Sequence, residues 1–409
     1  MMLPSNYEAF LRRYWKAENV DMLVQGLQAP ASVSIRINQK RFNADAQPVG
    51  ADGRVPWCPE GVYLKERPQF TADPLLHAGA YYVQEASSMF LAHVLRSVCT
   101  TEDMHTALDL CAAPGGKSTL LRSILPDDCR LTSNEPNRQR AQVLAENLAK
   151  WGHPNVCVTQ TLAADIARTG QLFDLILTDV PCSGEGMFRK EPEAVRQWSP
   201  ALVDDCATLQ RSIVEDIWPA LRAGGTLIYS TCTFNPEEDE NNVEWIARTL
   251  GAEVIAIPTD PEWGIFGDLR QNGDDLPCCH FLPGHTRGEG FFIAVLRKHG
   301  TAEEQPQPKA NKKGKKGRGQ DEFSLNTLPT NQLDEDGVPQ VEVSIEDAIR
   351  YLQRESLTLP PETPRGHVQV CFRGLRLGLM NNLGSRANNL YPKEWRIRSG
   401  FIEPQTLFT

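Results

Sequence analysis

The chain has 409 residues and a formal net charge of −10, from 42 lysines and arginines against 52 aspartates and glutamates. That length supports two or three domains, and the absence of any run of about 18 apolar residues excludes an obvious membrane span. Eleven cysteines, without C-x-x-C spacing, suit a reducing compartment rather than a disulfide framework, and the Met1–Pro4 start lacks the features of a signal peptide.

In chain order, an amphipathic helix is expected at Tyr7–Lys16 and a strand at Ser32–Asn38. From Tyr81 to Lys298, strand and helix patterns alternate. Strands are expected at Thr106–Leu108, Arg130–Asn134, Asn155–Thr161, Phe173–Thr178, Thr226–Tyr229 and Gly290–Arg297. Helices are expected at Ser118–Leu125, Arg138–Trp151, Leu202–Leu221 and Glu237–Leu250. This alternation predicts an α/β fold with a doubly wound, mostly parallel sheet.

Residues 300–325 carry Lys309, Lys312, Lys313, Lys315, Lys316 and Arg318 among Gly, Pro and Gln, the composition of a disordered basic linker able to touch phosphates. Beyond it, Val341–Leu357 contains a helix. Strands follow at His367–Phe372 and Leu375–Leu379, with a turn at Gly374. Arg365, Arg373, Arg376, Arg386, Lys393, Arg396 and Arg398 interleave with Phe372, Tyr391 and Trp395, a mixture suited to phosphate contact and base stacking. The acidic total argues against nucleic acid, but the distribution of charge matters more than its sum.

Ligands of doubly wound sheets bind beyond the carboxyl ends of the strands, where four features of this sequence fall. The first is Asp109-Leu110-Cys111-Ala112-Ala113-Pro114-Gly115-Gly116-Lys117-Ser118-Thr119, a strand–turn–helix cradle of small residues. Its Gly-Gly-Lys-Ser string invites a phosphate-loop reading, which fails because Cys111 stands where glycine is required. Glu135 ends the second strand and suits ribose hydroxyls, or else a helix N-terminus before Pro136. Asp165, after the third strand, suits an adenine amino group or a plain surface loop. Finally, Asp179-Val180-Pro181-Cys182-Ser183-Gly184 and Ser230-Thr231-Cys232-Thr233 aim two thiols and a carboxylate at one cleft. Either cysteine alone reads as a small buried hydrophobe. Together they suit methylation of cytosine at C5: a thiolate adds to C6, an acid near N3 stabilises the displaced electron density, and a second thiol helps elimination. Cys278-Cys279-His280, with His285 nearby, lacks zinc spacing, so no metal is expected.

These motifs, with Ser34-Ile35-Arg36-Ile37-Asn38 and Gln84-Glu85-Ala86-Ser87-Ser88-Met89, resemble the Nop/Sun family of RNA cytosine-5 methyltransferases, and within it the bacterial enzymes of small-subunit ribosomal RNA. Val180 and Thr233 depart from the family's usual alanine and serine without removing a reacting group. The resemblance implies a Rossmann-like methyltransferase domain at 76–299, an RRM-like N-terminal α/β extension at 1–75, the linker at 300–325 and a PUA-like, β-rich RNA-binding domain at 326–409. It implies S-adenosylmethionine as donor, held by Cys111, Ala112, Ala113, Pro114, Gly115, Gly116, Lys117, Glu135, Asp165 and Asp179. It also implies that Cys232 is the nucleophile and Cys182 assists release, with Asp179 beside them. The expected partner is 16S ribosomal RNA or the small ribosomal subunit, met by a cytoplasmic monomer with no membrane contact. Transfer RNA as substrate, a small-molecule or protein methyltransferase, and a non-catalytic ribosome-assembly factor are the alternatives.

Overall fold

The computed structural model describes residues 3–43, 45–273, 275–300, 327–328, 333, 335, 337–398, 400 and 402–408. The linker lysines and Arg318 lie outside the described residues. Among the described residues, no helix is long and apolar enough to cross a membrane.

The centre is a nine-stranded sheet. Leu221–Thr231, Phe173–Asp179, Thr106–Asp109, Arg130–Asn134 and Val156–Thr159 lie side by side and parallel. Phe291–Lys298 and Thr327–Leu328 join them antiparallel, and Ala252–Ile255 and Cys279–Phe281 pair antiparallel with Phe291–Lys298. Both faces of the parallel strands are covered, so apolar residues of one strand pack on both sides of the sheet. In Phe173–Asp179, Leu175 and Leu177 enter the core on one face, and Phe173 and Ile176 enter the core on the other. Thr106–Asp109 stands between Arg130–Asn134 and Phe173–Asp179, so strand order reverses there and opens a crevice at its carboxyl end.

Helix ends follow local chemistry. Arg138–Trp151 starts at Asn137, whose Oδ1 accepts from the Gln139 N–H at 3.0 Å, and stops at left-handed Gly152. The helix expected at Leu202–Leu221 runs instead over Pro200–Ile217. Ser199 caps it and Pro200 is tolerated in its first turn, while Pro219 forbids its continuation. The helix expected at Glu237–Leu250 begins only at Glu240 and widens into a π-type turn at Ile246–Gly251.

At the N-terminus, the helix expected at Tyr7–Lys16 forms only over Tyr7–Leu11, and a second helix, not expected from the sequence, follows at Ala17–Gly26. Trp15 is fully buried between them, and the pair packs on the catalytic domain through Phe188, Trp198 and Phe234. Tyr7 meets Phe188 and Trp198 edge-on at 5.3 and 5.0 Å. A four-stranded antiparallel sheet follows, ordered Ala51–Val55, Cys58–Leu64, Val33–Ile37, Tyr81–Val83.

The C-terminal module holds the helix Ile345–Leu352 and a sheet ordered Gln340–Glu342, Gly366–Phe372, Leu375–Asn382, Ala387–Asn389. Its core is continuous with that of the N-terminal sheet, and Phe408 stacks edge-on against Phe42 at 4.7 Å. The expectation that Phe372 and Tyr391 offer rings to bases is overturned. They are 5% and 1% exposed, because their strand and turn positions face this shared core. Arg365, Arg373, Arg386, Lys393, Arg396 and Arg398 are exposed.

Candidate active site

A cleft of about 340 Å³ opens at the strand-order reversal. Cys111, Ala112, Ala113, Pro114, Gly116 and Lys117 form one wall, Tyr82, Val83, Gln84, Glu85 and Ser88 a second, and Asp179, Gly186, Met187, Lys190, Cys232, Glu289, Gly290 and Phe291 the rest. The loop after Asp109 is braced from outside the cleft. Asn147 Nδ2 donates to Pro114 O at 2.7 Å, Arg140 Nη2 to Ala113 O at 3.0 Å, and Asn134 Nδ2 to Leu110 O at 3.0 Å. Gly115 takes φ +116°, a conformation that a side chain would strain, and the turn opens directly into the helix Gly116–Ile124.

The two thiols are adjacent: Cys182 Sγ and Cys232 Sγ are 3.2 Å apart. Their loops are locked together by buried polar groups that the sequence does not advertise. Glu238 accepts from the Ser183 N–H at 2.9 Å, and Glu185 accepts from the Phe234 N–H at 2.9 Å. Asn235 Nδ2 reaches Glu185, Thr233 and Glu238 within 3.0 Å. Gly186 N–H donates to Cys232 O at 2.8 Å, and a Cβ at Gly186 would come within 2.8 Å of that same oxygen, so only glycine lets the loops meet. The Cys182 thiol is pushed well up by its bond with Cys232 and by burial.

Asp179 joins the cysteine loops to the cradle. Its Oδ1 accepts from Ser230 Oγ at 2.8 Å, and its Oδ2 pairs with Lys117 Nζ at 2.9 Å. Burial disfavours the Lys117 ammonium, but the Asp179 charge and hydrogen bond outweigh it, and the Lys117 pKa is raised. The same ammonium lines the cleft with Cys232 and lies 5.1 Å over the Phe291 ring. A fixed cation thus faces the place where a thiolate would form.

Glu135 and Asp165 do not line the cleft. Glu135 is buried behind the loop, accepts from the Asn137 N–H at 2.9 Å and lies 3.4 Å from Arg140. Asp165 sits in the first turn of Ala163–Arg168, paired with Arg168. Glu240 joins the Cys278–His280 stretch in space, with one donor atom of Glu240, Cys278 and His280 mutually within 4.8 Å. Glu240 and His280 already bond each other at 3.0 Å.

Three family models match the chain in succession: "N-terminal domain of 16S rRNA methyltransferase RsmF" over residues 3–86, "16S rRNA methyltransferase RsmB/F" over 97–297, and "Methyltransferase RsmF PUA domain" over 338–397. The ribosomal RNA small subunit methyltransferase F of Cronobacter sakazakii is 33% identical over 386 residues, covering 90% of this chain and 77% of that protein. The chain belongs to this family.

The enzyme of the same name from Salmonella agona is 35% identical over 302 residues, 70% of this chain and 61% of its own length. The fold agrees with NSun6 from Pyrococcus horikoshii, solved with SFG, at a TM-score of 0.60 and 21% identity, covering 73% of this chain and 99% of that one. A methyltransferase homologue from the same organism gives 0.56 at 26% identity, covering 69% of this chain and 92% of that one. Family members are S-adenosylmethionine-dependent methyltransferases, and the cleft fits that donor. Its volume suits a nucleoside-sized ligand, the unpaired N–H groups of the Gly116 helix start suit a carboxylate, and Asp179 suits cationic groups.

Asp109, beneath the cradle, is 1% exposed; its Oδ2 accepts from Ser118 Oγ at 2.6 Å, while Oδ1 has no partner among the described residues. Burial, opposed by the Ser118 bond and aided by the Asp179 charge, pushes its pKa up to about 7. The folded state therefore holds this proton more tightly than the unfolded chain does. The stability this confers is complete below about pH 4 and is lost as the pH rises to about 7. Asp109→Asn should flatten the melting temperature across that window and, above pH 7, gain up to roughly 4 kcal/mol over the parent. Parallel melting curves for the two proteins from pH 4 to 8 would contradict this origin.

Proposed function

We propose that this protein methylates C5 of a cytosine in 16S ribosomal RNA, in the cytoplasm, through a covalent bond between Cys232 and C6. The observation that carries the reading is Cys232 lining one cleft with Asp179 and the cofactor loop, with the Cys182 sulfur 3.2 Å behind its own. When bound, S-adenosylmethionine supplies an electrophilic methyl group. Cys232, facing the Lys117 ammonium across the cleft, adds to C6 as the thiolate, and the electron pair moves through the ring toward N3, which takes a proton relayed from Lys117 through Asp179. C5 is then nucleophilic and takes the methyl group. As the C6–S bond breaks, Cys182 passes its proton to the leaving Cys232 sulfur and takes up the C5 proton in its place, so the C5–C6 double bond re-forms and both cysteines end as thiols. The high pKa of Cys182 makes it a poor nucleophile but a proton carrier beside the leaving sulfur. Glu135 holds the loop's Arg140 brace from outside the cleft lining, and Asp165, paired with Arg168, is left without a part in the reading.

The domain division follows the same reading: an N-terminal extension over 1–75, a catalytic domain over 76–299, the linker at 300–325 and an RNA-binding module over 326–409. Bisulfite sequencing of total RNA from a deletion strain tests the substrate. One or more 16S cytosines should lose their protection. Loss confined to transfer RNA would move the substrate, and no loss anywhere would end the reading.

Removing residues 326–409 would strip a surface from the N-terminal sheet, because the two share a core. Substitution is the cleaner test of RNA contact. Arg365→Ala, Arg386→Ala and Arg398→Ala together should weaken RNA binding and reduce the slope of log affinity against log salt by about 2, at roughly 0.7 per phosphate contact. S-adenosylmethionine affinity should not change. An unaltered salt slope would place the RNA on another face.

A further inference from the structure

The Ser34–Asn38 motif takes no part in the chemistry above, yet it forms a buried polar row at the joint between the N-terminal sheet and the catalytic domain. Strand residues alternate in direction. Ile35 and Ile37 enter the core shared with the C-terminal module, and Ser34, Arg36 and Asn38, all 2–4% exposed, face the other way. Ser34 Oγ donates to Gln84 O at 2.6 Å, and Asn38 Nδ2 donates to Gly79 O at 2.9 Å.

Arg36 is the centre of this row. Its Nε donates to Gln84 Oε1 at 2.8 Å, and its Nη2 to Thr119 Oγ1 at 2.6 Å and Gly116 O at 3.4 Å. Nη1 reaches Ser123 Oγ at 3.3 Å, and the guanidinium lies 4.6 Å from the centre of the Trp151 ring. Every one of these acceptors is neutral, and among the described residues no carboxylate pairs with Arg36. Burial draws its pKa down to about 10, which still leaves it charged at neutral pH. The Glu60 charge supports it without a direct ion pair, and a buried charge so placed is tolerated where fixed dipoles replace its water. Here the dipoles belong to the first turns of the Gly116–Ile124 helix and to Gln84, and both Gly116 and Gln84 line the donor cleft. Arg36 itself does not line it.

We propose that Arg36 is a positioning residue for the methyl donor: its guanidinium fixes the Gln84 wall against the Gly116–Thr119 turn, so that the N-terminal extension sets the shape of the donor site. This rests on the reading of that cleft as the S-adenosylmethionine site. Arg36→Lys keeps the charge but loses the planar fork, and Thr119→Val removes one acceptor at nearly constant volume. Calorimetry of the full chain with S-adenosylmethionine, melting curves, and affinity for a 16S fragment are measured side by side. Each variant should bind the donor about tenfold more weakly and raise its KM more than it lowers kcat, with RNA affinity held. The double variant should lose less than the product of the two single losses. Donor binding equal to wild type in both variants, or an equal fall in RNA affinity, would overturn the positioning role. If Arg36→Lys fails to fold, Thr119→Val alone decides by the same criteria. Wild-type protein that did not bind S-adenosylmethionine would instead overturn the donor reading of the cleft, and this inference with it.

Discussion

Cys232→Ala is expected to abolish methyl transfer, a loss of roughly 10⁴-fold or more, because it removes the sulfur assigned to attack C6. The protein should still fold and bind the donor, since Cys232 makes its locking contacts through its backbone carbonyl and not through sulfur alone. Cys182→Ala should behave differently. Attack and methylation remain possible, but release slows, and a protein–RNA adduct should persist on a denaturing gel. Addition and elimination need differently placed groups, and the 3.2 Å separation puts the second thiol beside the sulfur that must leave. The assignment is reversed if Cys182→Ala loses the adduct and Cys232→Ala accumulates it. If both variants stay active, the thiol mechanism falls.

Asp179→Asn should cost about 10²–10³ in kcat, the usual effect of removing one fixed group that meets developing charge. The amide keeps the shape and the bond from Ser230 Oγ, but it gives up the charge that raises the Lys117 pKa and holds its ammonium. Lys117→Met should produce a loss of similar size, and the double variant should lose much less than the product, since the two act as one unit. Multiplicative losses would show that the carboxylate and the ammonium serve separate steps.

Much of this site was legible in the sequence because its parts sit at strand ends, and strand ends are what apolar runs locate. Arg130–Asn134 and Arg138–Trp151 have the expected bounds, and Phe173–Asp179 runs one residue past its expected end to take in Asp179. The thiols, Asp179 and Lys117 converge as their positions after those strands require. What the pattern hides is what holds them. Nothing in the sequence marks Glu185 or Glu238, yet both are fully buried, with burial as the first cause of their raised pKa values. Their partners are backbone N–H groups and amides brought in from about 50 residues away, which no local periodicity records. For the same reason, the stretch before Glu240 looks helical but is drawn into the lock by Asn235. Tyr7–Lys16 fits one helix by period, but the buried Trp15 needs a corner to reach its pocket. Phe372 and Tyr391 show the opposite failure. Interleaving with arginine suggested an RNA surface, whereas the fold turns the arginines outward and the rings in.

The covalent bond between Cys232 and C6 is the central claim, and RNA carrying 5-fluorocytosine tests it most directly. Fluorine at C5 cannot leave as a proton does, so elimination stops and the adduct survives in the unmodified protein. Digestion and mass spectrometry of the trapped complex should find one methylated fluorocytidine on the peptide that contains Cys232. A nucleotide on the Cys182 peptide, or no adduct with S-adenosylmethionine and RNA both present, would contradict the account.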